Sequence, residues 1–493
     1  MIADGRGGYL FMPSDGILRR KYHGLWIASL SPPFNRYTIV CGVRVYLDGV
    51  LVASPLKQDG TPAVMAELDG WTASFIYPNG FKISYTFSEG LELSFSSPAI
   101  VEPLLAMRHI YDVNRAVEDF SVSENEVMRT GLEVKFDRPM SIDPKALHVR
   151  FEIDEERGEE HEDVLLSPGK IAVNERLNIA FSAYSKVKRA QEFDPADQAI
   201  VRGPYARRFL IAGYPWFGVW TRDTLIAVPG LLTARGRYAE ARGVILSMLS
   251  HERDGELPEY LEERTGRPIY GSADSTLWLT YTLRHYMQYT DDLKFLERVY
   301  PKLRRIVLKH GKGLLEHGPA TWMDVKLDGE PLVDRSGMAI EVEALWIDLL
   351  DLYEKACTAL DRECEVKGLA QELLGSFEEK FWNGRWYRDT LKDDRLRPNQ
   401  LVALALLPLD RERARRALEI IWEKLATPFG VRTLSPDDPD YKGRYEGDLR
   451  TRDLAYHNGT AWPWLSGFLS RASIKYGYDR EAVFRAIIAP LLA

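Results

Sequence analysis

Polar and apolar residues alternate through the first part of this chain, and the period then lengthens to that of a helix. Up to about residue 180 the spacing is close to two. A strand pair is predicted over 37–52, broken by Leu47-Asp48-Gly49, and short runs follow at 73–77, 81–86, 91–96, 108–113, 149–153 and 177–183. Pro78-Asn79-Gly80 and Ser88-Glu89-Gly90 punctuate them, since Asn and Gly tolerate the positive φ that tight turns need. Many short strands with polar turns predict a sandwich of antiparallel sheets. Beyond this region apolar residues recur at helical spacing over 184–192, 224–235, 239–249, 275–289, 293–310, 339–360, 365–381, 400–407, 411–425, 461–473 and 480–492. That is roughly eleven helices. Long helices separated by loops and pairing in sequence predict a ring of α-hairpins. The expected organisation is a β-sandwich domain over 1–180 and a helical domain over 181–493.

Composition narrows the partners. Of 493 residues, 45% are hydrophobic and 28% charged, enough apolar material for two cores. A net charge of −8 argues against nucleic acid or an anionic membrane as partner and is compatible with a neutral polysaccharide. No apolar run reaches the ~18 residues of a membrane span, and no signal peptide opens the chain, so a cytoplasmic protein is expected. Cys41, Cys357 and Cys364 form no CxxC pair and read as buried thiols. No nucleotide-binding or metal-ligand spacing occurs, so neither a cofactor nor a metal is expected. The acidic stretch 154–163 reads as a solvated loop. Arg19, Arg20, Tyr22 and His23 read as a domain-docking cluster or, failing that, a contact to such a polysaccharide.

The stretch YPWFGVWTRDT at 214–224 carries the densest chemistry. Tyr214, Trp216 and Trp220 offer rings for the apolar face of a pyranose, and Arg222 and Asp223 offer charged partners for its hydroxyls. A buried aromatic turn with an ordinary ion pair is the alternative. Asp324 follows Trp322, and a carboxyl desolvated against an indole stays protonated near neutrality, as a general acid must; a helix N-cap is the alternative. Asp274 reads locally as a helix cap. Glu341 and Glu343 diverge by ~200° on a helix and cannot face one pocket together; a solvated first turn would also explain both. Arg397 and Asn399 flank Pro398, which disfavours helix before it, so both are expected to project from a loop. His457 can donate to a hydroxyl in either tautomer or serve structure.

Read in order, several fragments resemble the amylo-α-1,6-glucosidase (glycogen debranching) family: GRGGYL at 5–10, LRRKYHGLWIASLSPPFNR at 18–36, YPWFGVWTRDT, GELPEYLEERTGRPIYGSADSTLW at 255–278, TWMD at 321–324, DRSGMAIEVEALW at 334–346, RPNQ at 397–400, TPFGVRTLSPDDPDYKGRYEG at 427–447 and RDLAYHNGTAWPWL at 452–465. The resemblance implies a β-sandwich followed by an (α/α)6 barrel of the six-hairpin glucosidase type. It implies a glycoside hydrolase that releases glucose from α-1,6 branch points of glycogen by inversion, with no cofactor. It points to Asp324 as the acid, to Arg222 and Asp223 as ligands of the terminal glucose, and to Asp274 and Glu341 as pocket residues. Trp462 and His457 fall in the last matched loop. The Trp-Thr-Arg-Asp element also resembles fungal-type glucoamylases, which makes an exo-α-1,4-glucosidase the alternative. Two departures matter. Val219 and Thr221 stand where the family more often has an acidic residue and Gly. The chain also stops before a Ser-Glu-Ile/Val-Phe-like segment that would supply the base. The barrel is therefore expected to be incomplete, Glu341 and Glu446 are the substitute bases, and a glucan-binding protein with weak turnover is the further alternative.

Overall fold

The computed structural model describes residues 1–87, 90–184 and 194–489. The expected turn at 88–90, the helix at 184–192 and the end of the helix at 480–492 lie wholly or partly outside the described residues. The chain divides into two compact units, Met1–Trp220 with Tyr260–Arg267, and Thr221–Glu259 with Pro268–Ala493.

The first unit holds two eight-stranded sheets whose paired strands run antiparallel. One runs in the spatial order Ile2–Ala3, Tyr9–Phe11, Gly24–Ser31, Phe34–Leu47, Ala99–His109, Glu162–Val173, Met140–Arg150, with Val50–Ala53 beside Phe34–Leu47. The other runs Phe120–Val122, Glu126–Arg129, Leu132–Phe136, Arg176–Phe181, Leu91–Phe95, Lys82–Phe87, Thr72–Ile76, Met65–Asp69. Alternation decides the packing. Along Lys82–Phe87, Leu91–Phe95 and Arg176–Phe181 every second side chain is buried. Ile83, Leu93 and Ile179 then share a core with Trp26, Val45 and Val101 of the other sheet. Each such fully buried aliphatic contributes about 1.5–3 kcal/mol. Ala99–His109 is buried almost continuously because a second cluster, including Leu104, Ala106, Val149 and Leu165, covers its other face. The Asp48-Gly49 turn has positive φ at both positions, 49° and 82°, and joins Leu47 to its partner Val50.

The acidic stretch is not a solvated loop. Glu152–Glu156 is helical, and both Asp154 and Asp163 are buried. Arg20 Nε donates to Asp154 Oδ1 at 2.7 Å and Arg108 Nε to Asp163 Oδ2 at 2.8 Å. A local charge run cannot reveal arginines so distant in sequence. Arg20 is therefore committed inside the first unit. His23 Nδ1 accepts from Arg19 N at 3.1 Å, and burial lowers its pKa to about 3.

The second unit has eleven α-helices among its described residues: Thr221–Leu231, Tyr238–Leu249, Leu279–Thr290, Leu293–Lys309, Ile340–Ala359, Leu369–Phe381, Gln400–Leu406, Arg411–Lys424, Leu449–Tyr456, Leu465–Lys475 and Arg480–Val483. Leu293–Lys309 shows why the period was readable. Phe295, Leu296, Val299, Leu303, Ile306 and Val307 form one buried stripe, and Asp292 caps the start by accepting from Phe295 N at 3.0 Å. Thr221–Leu231 packs on Leu279–Thr290, that helix on Ile340–Ala359, then Gln400–Leu406, then Leu465–Lys475. Ile340–Ala359 is buried on all sides over its first three turns, as an interior helix must be. The short ladders in the connecting loops pair antiparallel. Leu449–Tyr456 was not expected from sequence. It buries only Ala455, so it shows no apolar stripe, and its start depends on the Asp448 cap.

Candidate functional site

The second unit gathers carboxylates around one arginine at the start of its first helix. Arg222 is buried in the first turn of Thr221–Leu231. Its Nε and Nη2 donate to Asp274 Oδ2 and Oδ1 at 2.8 and 2.9 Å, a two-point pairing of planar groups. Asp274 has no exposed surface, and its carboxylate also accepts from Ser272 Oγ at 2.7 Å and Trp278 Nε1 at 3.1 Å. Burial opposes its charge, yet Arg222, with Ser272 and Trp278, holds its carboxyl below the ordinary value. The side chain is thus spent on Arg222 rather than on capping a helix, which begins only at Leu279.

This pairing aims the rest of the guanidinium. Arg222 Nη1 stands 3.7 Å from Asp324 Oδ2, and the Asp324 side chain is 34% exposed. Burial raises the Asp324 carboxyl above its usual value; Arg222 pulls it down, and the charges of Asp274 and Asp223 push it up. Asp223 is open to solvent, yet surrounding protein raises its carboxyl too, with Arg222 opposing. Glu259 belongs to the same group. Its carbonyl accepts from Thr221 N at 2.9 Å, which sets it beside Arg222, and burial raises its carboxyl, with Arg222 opposing and Asp324 and Asp274 adding to the rise.

A buried polar network carries the loop that bears Asp324. Arg335 has no exposed surface and pairs through Nη1 and Nη2 with Glu341 and through Nε with Asp389 at 2.8 Å. Arg335 Nη1 also donates to Thr321 Oγ1 at 3.1 Å. Asn399 donates to Asp389 Oδ1 at 2.7 Å and accepts from Trp322 Nε1 at 2.7 Å. Both residues ahead of Met323-Asp324 are therefore anchored. The Trp322 indole meets His457, Trp462 and Trp464 edge-on at 5.2, 5.8 and 5.1 Å between centroids. Tyr456 packs on Trp462 at 4.9 Å. Burial first, then Tyr445 and the charges of Asp324 and Asp223, push its hydroxyl up to about 12.

Most of the other expected site residues are buried. Glu341 is wholly buried in the ion pair with Arg335, so it is neither on a solvated turn nor open to a substrate. Glu343 is also wholly buried, accepts from Leu315 N at 2.9 Å, and is pushed up to about 8 by burial. The two do diverge as their spacing requires. Arg397 does not project from a loop: it is buried and donates to the carbonyls of Thr433 and His457 at 3.0 and 2.7 Å and to Asn458 Oδ1 at 2.9 Å. Asn399 is likewise internal. His457 is buried with neither ring nitrogen hydrogen-bonded, and burial, with Arg397, lowers its pKa to about 3, so it is neutral. Glu446 is 67% exposed and 3.5 Å from Arg444; its neighbour Tyr445 packs on Tyr456 at 5.7 Å.

Tyr214, Trp216 and Trp220 belong to the first unit. Tyr214 packs on Tyr9 at 5.1 Å, and Arg36 lies 5.8 Å from the centre of its ring. Trp216 is 43% exposed beneath the Arg20 guanidinium, and Trp220 stacks on Tyr260 at 4.7 Å. Sequence reasoning missed Glu259, Arg335 and Asp389. Glu259 and Arg335 lie inside quoted fragments, and an unpaired acidic residue beside Pro258 was the available signal for the first. The described residues contain no group of side chains suited to a metal ion, and no described helix is long and apolar enough to cross a membrane.

Known proteins resemble the chain both in structure and in sequence. Two solved structures from Thermus thermophilus align with 58% of the chain, each at a TM-score of 0.45. One is an uncharacterized conserved protein, 13% identical over 86% of its own chain; the other is a GH63 mannosylglycerate hydrolase in complex with glucose, 12% identical over 87%. The glycogen debranching enzyme of Saccharomyces cerevisiae is 26% identical over 384 residues, covering 53% of this chain and 25% of that protein. The chain thus spans about a quarter of the length of that curated relative. The family model described as amylo-alpha-1,6-glucosidase matches residues 195–493, which hold Arg222, Asp274 and Asp324 alike. On that match, over more than half its length, the chain belongs to the amylo-alpha-1,6-glucosidase family, a glycoside hydrolase family related to glycogen debranching enzyme.

Proposed function

We propose that the protein is a glycoside hydrolase releasing glucose from α-1,6 branch points of glycogen or its limit dextrin. The observation that carries this is the half-buried Asp324 carboxyl, raised by burial and 3.7 Å from an Arg222 already locked by Asp274. A carboxyl that keeps its proton toward neutrality can deliver it to the leaving glycosidic oxygen. Arg222 Nη1, with Asp223, offers charged partners to the hydroxyls of the terminal glucose, and Asp274 fixes their geometry. Trp322 and Trp462, 5.8 Å apart between centroids, are proposed as an aromatic wall of the site, and the buried His457, whose ring nitrogens have no hydrogen-bond partner, as a partner for a hydroxyl or an ordered water. In the inverting scheme a second carboxylate ~6.5–9.5 Å from the acid activates water. Glu341 is excluded by its ion pair, which leaves Glu446, exposed beside Tyr445, as the candidate. Tyr214, Trp216 and Trp220 are proposed, within the first unit taken by itself, as rings for stacking on glucan.

The run of five successively packed helices, from Thr221–Leu231 through Leu465–Lys475, supports the reading of the second unit as an (α/α)6 barrel. Three unbridged thiols are consistent with a cytoplasmic protein. Titration calorimetry with glycogen, run beside a glucose-release assay, tests the reading. Binding with measurable release is expected. Binding with no release under any condition would favour a catalytically silent glucan-binding protein, and neither would reject the family's substrate for this chain.

A further inference from the structure

Nothing in the proposed reaction uses Cys357 or Cys364, both free thiols. Cys357 is buried near the end of Ile340–Ala359, and Cys364 lies beyond that end and is partly exposed. The chain folds back between them. Arg362 N donates to Cys357 O at 2.8 Å and Asp361 N to Thr358 O at 3.3 Å, around a left-handed Asp361 with φ 51°. Such a pair of bonds closes a helix end and reverses the backbone. The returning strand is pinned beside the helix it has just left. Tyr353 Oη donates to Glu365 Oε2 at 2.7 Å, and Arg304 Nε donates to Glu365 Oε1 at 2.6 Å. Tyr353 and Cys357 stand four residues apart and share one helix face. The Tyr300 hydroxyl joins them, 3.1 Å from Tyr353 Oη and 3.5 Å from Cys357 Sγ. Cys364, next to Glu365, is thereby laid along that face, where its thiol has Cys357 as a hydrogen-bonding partner.

We propose that Cys357 and Cys364 are an oxidisable pair whose disulfide clasps the returning chain onto the end of Ile340–Ala359. The oxidant is a low-molecular-weight disulfide. The partly exposed Cys364 gives up its proton, and its thiolate attacks one sulfur of the oxidant, breaking that S–S bond and releasing one thiol. Cys357 then gives up its proton and attacks Cys364 Sγ, releasing the second thiol. One S–S bond breaks and one forms, and the two cysteine protons end on the two released thiols. Burial pushes the Cys364 thiol up to about 11, with a bond from the Val366 backbone opposing and Cys357 adding to the rise. Thiolate is therefore scarce near neutrality and closure is slow. Cys41 is buried in Phe34–Leu47 of the first unit and is a spectator.

The test incubates the folded, reduced protein with excess oxidised glutathione, quenches it in acid, unfolds and alkylates it, and reads its mass. The expected product has lost two hydrogens, carries no glutathione and takes up one alkyl group, at Cys41. The reduced protein takes up three, one for each cysteine of the chain. Digestion should yield the Cys357 and Cys364 peptides joined. Cys357→Ser is expected to stop at a mixed disulfide of glutathione on Cys364, because no second thiol is there to displace it. The oxidised wild type should unfold at a higher urea concentration than the reduced form, since the bridge restricts the unfolded chain. Three alkylated cysteines after prolonged oxidation overturn the proposal. So does glutathione retained on Cys364 in the wild type, or an oxidised urea midpoint at or below the reduced one. None of these readouts depends on glucose release, so the outcome is separate from that of the glucosidase reading.

Discussion

Asp324→Asn is expected to lower kcat on a branched α-glucan by ~10²–10⁴-fold while the dissociation constant stays nearly constant. Amide and acid share a shape, so the contact with Arg222 Nη1, now 3.7 Å away, is kept at similar distance. Only the acid can give a proton to the departing oxygen. The loss should therefore appear in the transition state and not in the ground state, which is the signature of kcat falling without KM rising. Initial rates of glucose release and calorimetric binding on the same preparation check it. An equal loss of affinity would show instead that Asp324 holds the substrate.

Arg335→Met is expected to cost about 3–5 kcal/mol of stability, because it leaves the Glu341 and Asp389 carboxylates in the interior without their cation. All three side chains have no exposed surface, so water cannot replace the arginine without opening the core. The urea midpoint should fall with little change in slope. Replacing Glu341 and Asp389 by apolar residues in the same chain should recover part of the loss, since an absent charge has no desolvation cost. Thr321 loses its Arg335 donor, and Asp389, which holds Asn399 and through it Trp322, loses its cation, so the surviving folded protein should also turn over more slowly. A cost within ordinary surface values would show that the triad does not support this loop.

The contrast between these two residues shows what was legible in the chain. Asp324 could be singled out from its neighbours, because TWMD places a carboxyl beside an indole. Burial raises its carboxyl, against the pull of Arg222. Trp322 turns its ring toward His457, Trp462 and Trp464, and Asp324 is set against Arg222. Arg335 lay in plain view six residues before Glu341, yet nothing local says that it points inward. Burial of a charge depends on partners such as Asp389, 54 residues away. The same limit hid the Arg20–Asp154 and Arg108–Asp163 pairs and made an acidic stretch read as solvent-facing. Periodicity fared better because it is local. The strand alternation of Lys82–Phe87 and the stripe of Leu293–Lys309 are written in the sequence itself, whereas Leu449–Tyr456, with one buried residue, left no pattern to read.

The central claim is that the second unit cleaves α-1,6 branch points. The most direct measurement compares glucose release from panose, whose nonreducing glucose is α-1,6-linked, with release from maltotriose, which has only α-1,4 links, at equal enzyme and substrate. The account predicts a higher kcat/KM for panose and its loss in Asp324→Asn. Release from maltotriose at an equal or higher kcat/KM would contradict it and favour an exo-α-1,4-glucosidase.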